Sequence, residues 1–169
     1  MQNPDTDYIQ DFMDGNICFG CGKDNPQGLQ IKSHWEGDAC VCLWDAHDPK
    51  YQGWKGLMNG GILATLIDCH TMGTAMAHAY RSEGRPYDSA PVYMYATGTM
   101  TVKYLQPTPI DVPIRLEARV LEVKGRKTII ACEAWAEGIQ TASAEVVAIR
   151  VVDSSQAHGS KPGFSTYRS

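Results

Sequence analysis

The sequence predicts an α+β fold in which one antiparallel β-sheet wraps around a single long central α-helix. Residues 60–80 are rich in Leu, Ala, Met and Ile. Their apolar side chains go nearly all the way around a helix, so other elements must cover it on most sides. Segments with the composition of β-strands precede and follow this helix. One sheet that curls around the helix is the simplest way to bury it.

Length and composition indicate one globular domain. The chain has 169 residues, of which 43% are hydrophobic and 20% are charged, and its formal net charge is -4. A protein that binds duplex nucleic acid usually has a basic face, whereas no Lys/Arg cluster here is longer than Arg126-Lys127. We therefore expect no nucleic-acid partner.

The sequence shows no targeting or membrane-spanning segment, so the cytoplasm is the expected compartment. No apolar run reaches the roughly 20 residues of a membrane-spanning helix. The acidic N-terminus lacks the basic and apolar regions of a signal peptide. We expect no membrane association and a cytoplasmic location, where cysteines are kept as thiols. The six cysteines are Cys18, Cys21, Cys40, Cys42, Cys69 and Cys132.

The segment before the helix contains two predicted strands. Residues 1–17 are interpreted as a short leader, and residues 18–28 are rich in turn-forming Gly, Asn and Pro. Residues 29–35 and 39–44 are predicted strands with a turn between them. Residues 45–59 contain Pro and several Gly and are predicted to form a loop.

The segment after the helix is predicted to be all β. A polar loop, residues 81–91, comes first, and alternation of apolar and polar residues then marks strands with one buried face. The predicted strands are residues 92–105, 113–123, 127–136 and 141–152. The element order is therefore β-β-α-β-β-β-β.

Asp68 is the one acidic side chain of the predicted helix. An ionised carboxylate is rarely left in apolar surroundings without a partner or a task. Two interpretations stay open. Asp68 performs chemistry, or it lies on a solvated stripe together with Thr65 and Thr71.

The start of the helix is a second candidate. Asn59 is a suitable N-cap, and Gly60 and Gly61 allow another group to approach the first-turn amides closely. Those amides are unpaired donors at the positive end of the helix dipole. They could polarise a carbonyl group, as an oxyanion hole does, or they could serve capping alone.

The spacing of Gly61 and Asp68 constrains any shared role. Seven positions place them on nearly the same helix face, about 10 Å apart along the axis. Reacting groups must approach to about 3–3.5 Å, so one chain cannot bring both to one carbon atom. If both act, the amide of one subunit meets the carboxylate of another. This predicts a homodimer or a dimer of dimers.

Residues 53–68, GWKGLMNGGILATLID, resemble a signature of hotdog-fold acyl-CoA thioesterases related to the phenylacetate-pathway and 4-hydroxybenzoyl-CoA enzymes. That signature is His-Gly-Gly at the helix start, followed by an acidic residue two turns in. Residues 101–107, TVKYLQP, and 123–128, VKGRKT, resemble the strand and turn that follow. Residues 18–29 resemble the lead-in of many members.

The resemblance covers roughly residues 18–152, which we assign to a hotdog thioesterase-like domain. Residues 1–17 remain the leader, and residues 153–169 are expected to be a disordered tail. The resemblance implies a hotdog fold and a hydrolase that cleaves the thioester bond of an acyl- or aryl-CoA.

The resemblance also implies roles for individual residues. Asp68 would be the nucleophile or the general base that activates water. The Gly61 amide would hold the thioester oxygen, with Gly60 allowing the approach. Thr97 would place a hydroxyl near the attacking water.

Arg126 and Lys127 fall where family members contact the coenzyme A phosphates, and their charge suits that contact. A solvated hairpin turn is the alternative interpretation of this pair. Coenzyme A is part of the substrate, so no separate cofactor is expected.

Asn59 departs from the family signature, which has His at this position. An Asn amide can donate to a carbonyl or orient a neighbour, but it cannot titrate near neutrality. His70 is close in sequence, but two helix positions turn it away from Asp68 by about 200°. We expect His70 to be a structural residue, buried or on the surface, and not a replacement.

Cys18-Phe19-Gly20-Cys21 has the spacing of half a zinc site. A four-cysteine site needs a second pair, whereas Cys40-Val41-Cys42 suits an alternating strand. On a strand, Cys40 and Cys42 share a face and pack as small apolar groups. We therefore expect no metal.

Three functions remain open at this point. The first is an acyl-CoA thioesterase. The second is a non-catalytic acyl-CoA- or ligand-binding hotdog protein, which the Asn59 departure favours. The third is a hotdog hydratase or dehydratase, which usually needs a His paired with an acid, and the helix start offers no His.

Overall fold

The computed structural model describes residues 6–45 and 48–166. The regular elements are β1 (His34–Glu36), β2 (Ala39–Trp44), β3 (Gln52–Trp54), β4 (Leu57–Met58), α1 (Gly60–Ser82), β5 (Tyr93–Tyr104), β6 (Ile114–Lys124), β7 (Lys127–Ala136) and β8 (Ile139–Asp153). Short 3₁₀ helices lie at Ile9–Phe12 and Pro49–Tyr51.

Six strands form one antiparallel sheet in the order β1-β2-β6-β7-β8-β5, and β3 pairs with β4 in a separate hairpin. Helix α1 packs against this sheet and contacts β5, β6, β7 and β8. The predicted α+β hotdog architecture is therefore confirmed. Among the described helices, none has both the length and the hydropathy that a membrane span requires.

The core lies between α1 and the concave face of the sheet. Leu63, Leu66 and Ile67 of α1 are at most 2% exposed, and burial of each such side chain contributes about 1.5–3 kcal/mol. Many of the buried sheet residues that share this core are small, which lets the helix lie close to the strands. They include Ala118, Cys132, Ala134, Ala142, Ala144 and Ala148.

The N-terminal segment contributes to the same core, although residues 1–17 were expected to be a leader. Ile9 is fully buried, and its amide donates to the carbonyl of Ser33 at 2.9 Å. The side chain of Gln10 accepts from the Ser33 amide at 2.7 Å and donates to the Ser33 hydroxyl at 3.2 Å. Residues 1–5 lie outside the described residues.

The predicted strand at residues 29–35 is wrong over most of its length, because β1 begins only at His34. Gln30 adopts φ +54°, a left-handed conformation that interrupts an extended strand. The amide of Leu29 donates instead to the carbonyl of Phe19 at 2.8 Å. This contact folds the turn-rich segment back on itself.

Two segments expected to lack regular structure are partly ordered. The predicted loop at residues 45–59 contains the β3–β4 hairpin, whose turn uses Gly56 at φ +77°. The chain after β8 turns back, since the amide of Lys161 donates to the carbonyl of Val151 at 2.8 Å. Residues 46–47 and 167–169 lie outside the described residues.

Candidate active site

Asp68 and Thr97 are brought together between α1 and β5. The Thr97 hydroxyl donates a hydrogen bond to Asp68 Oδ1. The pairing of β5 with β8 shifts register between Thr97 and Thr99, so Gly98 forms a β-bulge. A Cβ at Gly98 would lie 2.8 Å from the Ile149 side chain, which explains the glycine. Bulges commonly re-aim side chains beside functional sites.

The surroundings of Asp68 act on its pKa in both directions, and the net effect is a raised pKa. Burial raises the pKa of the Asp68 carboxyl, as does the nearby Cys18, while the Thr97 hydrogen bond acts in the opposite direction. Within residues 6–45 and 48–166, no Lys, Arg or His side chain forms an ion pair with Asp68. The carboxylate is thus half-buried and not neutralised by a cation.

The structure removes Thr71 from the alternative solvated stripe, whereas Thr65 is half-buried, as Asp68 is. Thr71 is fully buried, and its hydroxyl donates to the carbonyl of Ile67 at 2.9 Å. The Thr65 hydroxyl donates to the carbonyl of Gly61, also at 2.9 Å. Both threonines therefore satisfy the helix backbone, and Asp68 does not share a hydrated surface with Thr71.

The helix start forms a second group, at Asn59, Gly60 and Gly61. Asn59 Oδ1 accepts from the Gly61 amide at 2.8 Å, so this candidate donor is capped by its own helix. The Asn59 carbonyl accepts from the amides of Ile62 and Leu63 at 3.0 and 3.2 Å. Gly61 itself is exposed. A substrate oxygen could use its amide only by displacing or sharing the Asn59 contact.

Tyr104 also belongs to the helix start, and sequence reasoning missed it. Its hydroxyl donates to the carbonyl of Gly60 at 2.8 Å. A Cβ at position 60 would lie 3.3 Å from the Tyr104 ring, so the glycine lets this ring approach the backbone. In the sequence Tyr104 was one of several aromatic residues in a predicted strand, and nothing marked it as the partner of Gly60.

The two groups remain separate within one chain. Asp68 and Gly61 are seven residues apart on α1, which corresponds to about 10 Å along the axis. Strand β5 runs antiparallel beside the helix, with Thr97 at Asp68 and Tyr104 at Gly60. The two groups therefore line one side of the molecule, one at each end of a two-turn stretch.

Arg126 and Lys127 lie farther from Asp68, at the turn between β6 and β7, and both are exposed. Lys127 pairs with Ile149 of β8, and Ile149 pairs with Ala96 of β5. Two inter-strand spacings separate Lys127 from Ala96 by about 10 Å. Lys127 shares the sheet face of Ala96, which is opposite to that of the next residue in β5.

Comparison with known proteins matches the part of the chain that carries these groups. A family model described as the thioesterase superfamily matches residues 55–143. The matched segment contains the helix start, Asp68, Thr97 and the Arg126-Lys127 turn.

Individual relatives agree with this match. Acyl-coenzyme A thioesterase THEM4 of Xenopus laevis is 29% identical over 93 residues, which are 55% of this chain and 36% of that protein. The match therefore spans little more than a third of that relative's length.

Solved structures share the fold. A thioesterase superfamily protein of Shewanella loihica PV-4 is 29% identical with a TM-score of 0.56, covering 70% of this chain and 89% of that chain. The Escherichia coli PaaI protein, from the phenylacetic acid degradation operon, is 12% identical with a TM-score of 0.59 over 74% of this chain and 82% of its own. At that identity the second likeness concerns the fold alone.

Proposed function

The chain belongs to the thioesterase superfamily, and from this membership we propose that it is an acyl-CoA thioesterase that releases a free acid and coenzyme A. The observation that carries the proposal is the Asp68 carboxylate. It is half-buried, oriented by Thr97, and without an ion-pair partner among the described residues. The THEM4 relative supports an acyl-CoA as the substrate class.

Two reaction routes are compatible with a free carboxylate. In one, Asp68 accepts a proton from water as the water oxygen bonds to the thioester carbon, and the C–S bond then breaks as the coenzyme A sulfur leaves and takes that proton from Asp68. In the other, the carboxylate attacks that carbon, coenzyme A leaves as a thiolate, and water hydrolyses the resulting anhydride. Both routes break the same C–S bond, and both use Asp68 in its ionised form. Neither route needs a cofactor.

The Gly61 amide is the proposed donor to the thioester oxygen. Its hydrogen bond would pass from Asn59 Oδ1 to the substrate oxygen, whose negative charge increases as the carbon is attacked. Gly60 keeps the neighbouring backbone free of a side chain. Since Gly61 and Asp68 of one chain are about 10 Å apart, the amide of one subunit would act with the carboxylate of another.

The proposed assembly is therefore a homodimer or a dimer of dimers with two equivalent sites per pair. Sedimentation velocity on the purified chain, combined with activity at each concentration, tests this. We expect activity to accompany the dimer or tetramer peak. A stable monomer with full specific activity would contradict the shared site.

Arg126 and Lys127 are proposed to contact the phosphates of coenzyme A. Their position supports this in part. Both are exposed and positively charged. Lys127 lies about 10 Å from Ala96, but on the sheet face opposite to that of Thr97. That distance suits the far end of a long ligand better than the reacting thioester. We propose a cytoplasmic location, in which the six cysteines would be kept reduced.

A second candidate is a non-catalytic acyl-CoA-binding protein. The observation that favours it is the capping of the Gly61 amide by Asn59, at the position where the family has His. An activity screen over short, medium, long and aryl acyl-CoAs, with free thiol as the readout, separates the two candidates. Turnover of any member supports the thioesterase. Saturable binding without thiol release across the screen supports the second candidate.

A further inference from the structure

Three thiols from distant parts of the chain meet beside α1. Cys18 and Cys21 come from the turn-rich segment before β1, and Cys69 comes from the middle of the helix. The three Sγ atoms lie within 4.8 Å of one another, and the Sγ atoms of Cys18 and Cys69 are 3.8 Å apart. The sequence predicted no metal because it showed one Cys-x-x-Cys pair and no second pair of suitable spacing, and it did not show that Cys69 lies beside this pair.

The backbone around these thiols leaves no room for larger residues. A Cβ at Gly20 would lie 2.3 Å from the Cys69 sulfur, and a Cβ at Gly22 would lie 2.5 Å from the backbone of Cys18. The Gly22 amide donates to the Cys18 carbonyl at 2.9 Å, which closes a tight turn. Gly20 therefore lets the Cys18–Cys21 turn pack directly against the helix, and Gly22 lets the turn close on its own backbone.

Polar groups around the sulfurs suit negative charge. Asn16 is fully buried, and its Nδ2 donates to the Cys21 sulfur at 3.6 Å. Its Oδ1 accepts from the Cys18 amide at 3.0 Å. Such donors to ligand atoms are typical of the outer shell of metal sites.

Thiols bind metal ions as thiolates, so a bound ion would displace the protons of the three thiols.

We propose that Cys18, Cys21 and Cys69 bind one thiophilic divalent metal ion, Zn²⁺ first, as a site that fastens the turn-rich segment to α1. Zn–S bonds of about 2.3 Å at tetrahedral angles place sulfurs about 3.8 Å apart. The Cys18–Cys69 separation of 3.8 Å already matches this spacing. Water completes the fourth position. Because Cys69 directly follows Asp68 in α1, the ion would fasten the Cys18–Cys21 turn next to Asp68.

The other cysteines provide a contrast. Cys40, Cys42 and Cys132 are at most 1% exposed, and burial raises the pKa of Cys40 and Cys42 to about 12. They pack as small apolar side chains of the sheet face. Cys132→Ala is therefore a control that removes one buried thiol and leaves the proposed ligands intact.

The test measures the metal content of the 169-residue chain. The protein is purified with a non-chelating phosphine reductant and analysed by inductively coupled plasma mass spectrometry. We expect about one zinc per wild-type chain and per Cys132→Ala chain. Cys69→Ala should hold less than about a tenth of that amount. The expectation follows from the loss of one of three protein ligands. Circular dichroism establishes which variants are folded.

Wild-type measurements keep the test decisive if Cys69→Ala fails to fold. Cobalt added to the metal-free wild-type chain should produce thiolate-to-cobalt absorption bands, and one equivalent of zinc should abolish them. A mercurial reagent that reacts with thiols should release the bound zinc. A reduced wild-type chain that holds no zinc and gives no cobalt bands overturns the proposal, as does a Cys18 disulfide that persists under reductant.

Discussion

Asp68 and His70 lie two residues apart on α1, yet their ionisable side chains are used in opposite ways. His70 is fully buried, with Nδ1 2.8 Å from the Ser33 hydroxyl and Nε2 3.1 Å from the carbonyl of Cys40. A carbonyl can only accept, so Nε2 carries the proton and Nδ1 accepts from Ser33. Burial lowers the pKa of His70 to about 4, which keeps the ring neutral.

Asp68 is half-buried and bonded to the exposed Thr97, without an ion pair among the described residues. Burial raises the pKa of its carboxyl, so the ionised form is a stronger base and a stronger nucleophile. His70 joins the N-terminal segment, the sheet and the helix. The comparison separates a titratable group that is completely satisfied, and therefore architectural, from one that is left available.

The largest expected effect tests the available group. Asp68→Asn keeps the size of the side chain and removes its charge and basicity. Thioester cleavage should fall by about 100-fold or more, because a positioned base contributes typically 10²–10⁴-fold. Acyl-CoA affinity should change little, and stability should hold or rise, because a partly desolvated charge is removed. Turnover and the urea midpoint are measured on one preparation.

The matched control is Asp38→Asn, the same change in an exposed turn residue, which should leave both quantities unchanged. A structural Asp68 requires the opposite result for Asp68→Asn: a lower urea midpoint with unchanged turnover per folded molecule. Wild-type turnover in that variant would exclude the catalytic role.

The contrast between the two residues also shows what a sequence can predict. The apolar composition of residues 60–80 sufficed for the buried helix, and alternation sufficed for the strands after it. His70 was correctly kept apart from Asp68 by helical angle. Its partners could not be predicted, because Ser33 and Cys40 are 37 and 30 residues away. Such contacts depend on the tertiary fold, which brings distant segments together and which a local sequence pattern does not encode.

The same limit explains the errors around the site. Residues 29–35 have a strand-like composition, but Gln30 adopts a left-handed conformation. Glutamine is not a residue type that predicts such a conformation. Cys69 lies among apolar residues of the helix, and local pattern does not show that the Cys18–Cys21 turn packs against it. Thr97 was reached through family resemblance, since no local pattern connects it with Asp68.

The second effect tests the architectural group. His70→Leu keeps an apolar body of similar size but leaves the Ser33 hydroxyl and the Cys40 carbonyl without their buried partner. We expect a loss of about 3 kcal/mol in the free energy of unfolding. Turnover per folded molecule should stay near the wild-type value. Urea unfolding gives the first quantity, and thiol release corrected for folded fraction gives the second.

His78→Leu is the matched control, the same change two turns along on the same helix at a half-buried position. No hydrogen bond from the described residues depends on its ring, so the change should be within about 0.5 kcal/mol. Equal losses in the two variants would mean that the His70 network contributes nothing beyond packing.

The third effect tests the helix start. Asn59→Asp is isosteric and preserves the cap, but a carboxylate holds the Gly61 amide more strongly than an amide oxygen does. It would also repel the charge that develops on the thioester oxygen. We expect kcat/KM to fall about tenfold, with stability equal or slightly higher because of the helix dipole. An unchanged kcat/KM would remove the Gly61 amide from the proposed mechanism.

The smallest effect concerns Thr97. Thr97→Val deletes the hydroxyl that orients Asp68 and keeps the shape of a β-branched side chain. We expect kcat to fall about fivefold, less than for Asp68→Asn, because water can replace part of the lost hydrogen bond at this exposed position. Thr97→Ser retains the hydroxyl and should stay within about twofold of wild type. Stability should change by less than about 0.5 kcal/mol in both variants, since the side chain is exposed.

If valine and serine lower kcat equally, the methyl group and not the hydroxyl matters, and Thr97 does not orient the carboxylate. If valine lowers kcat as much as Asp68→Asn does, the hydroxyl contacts the attacking water itself.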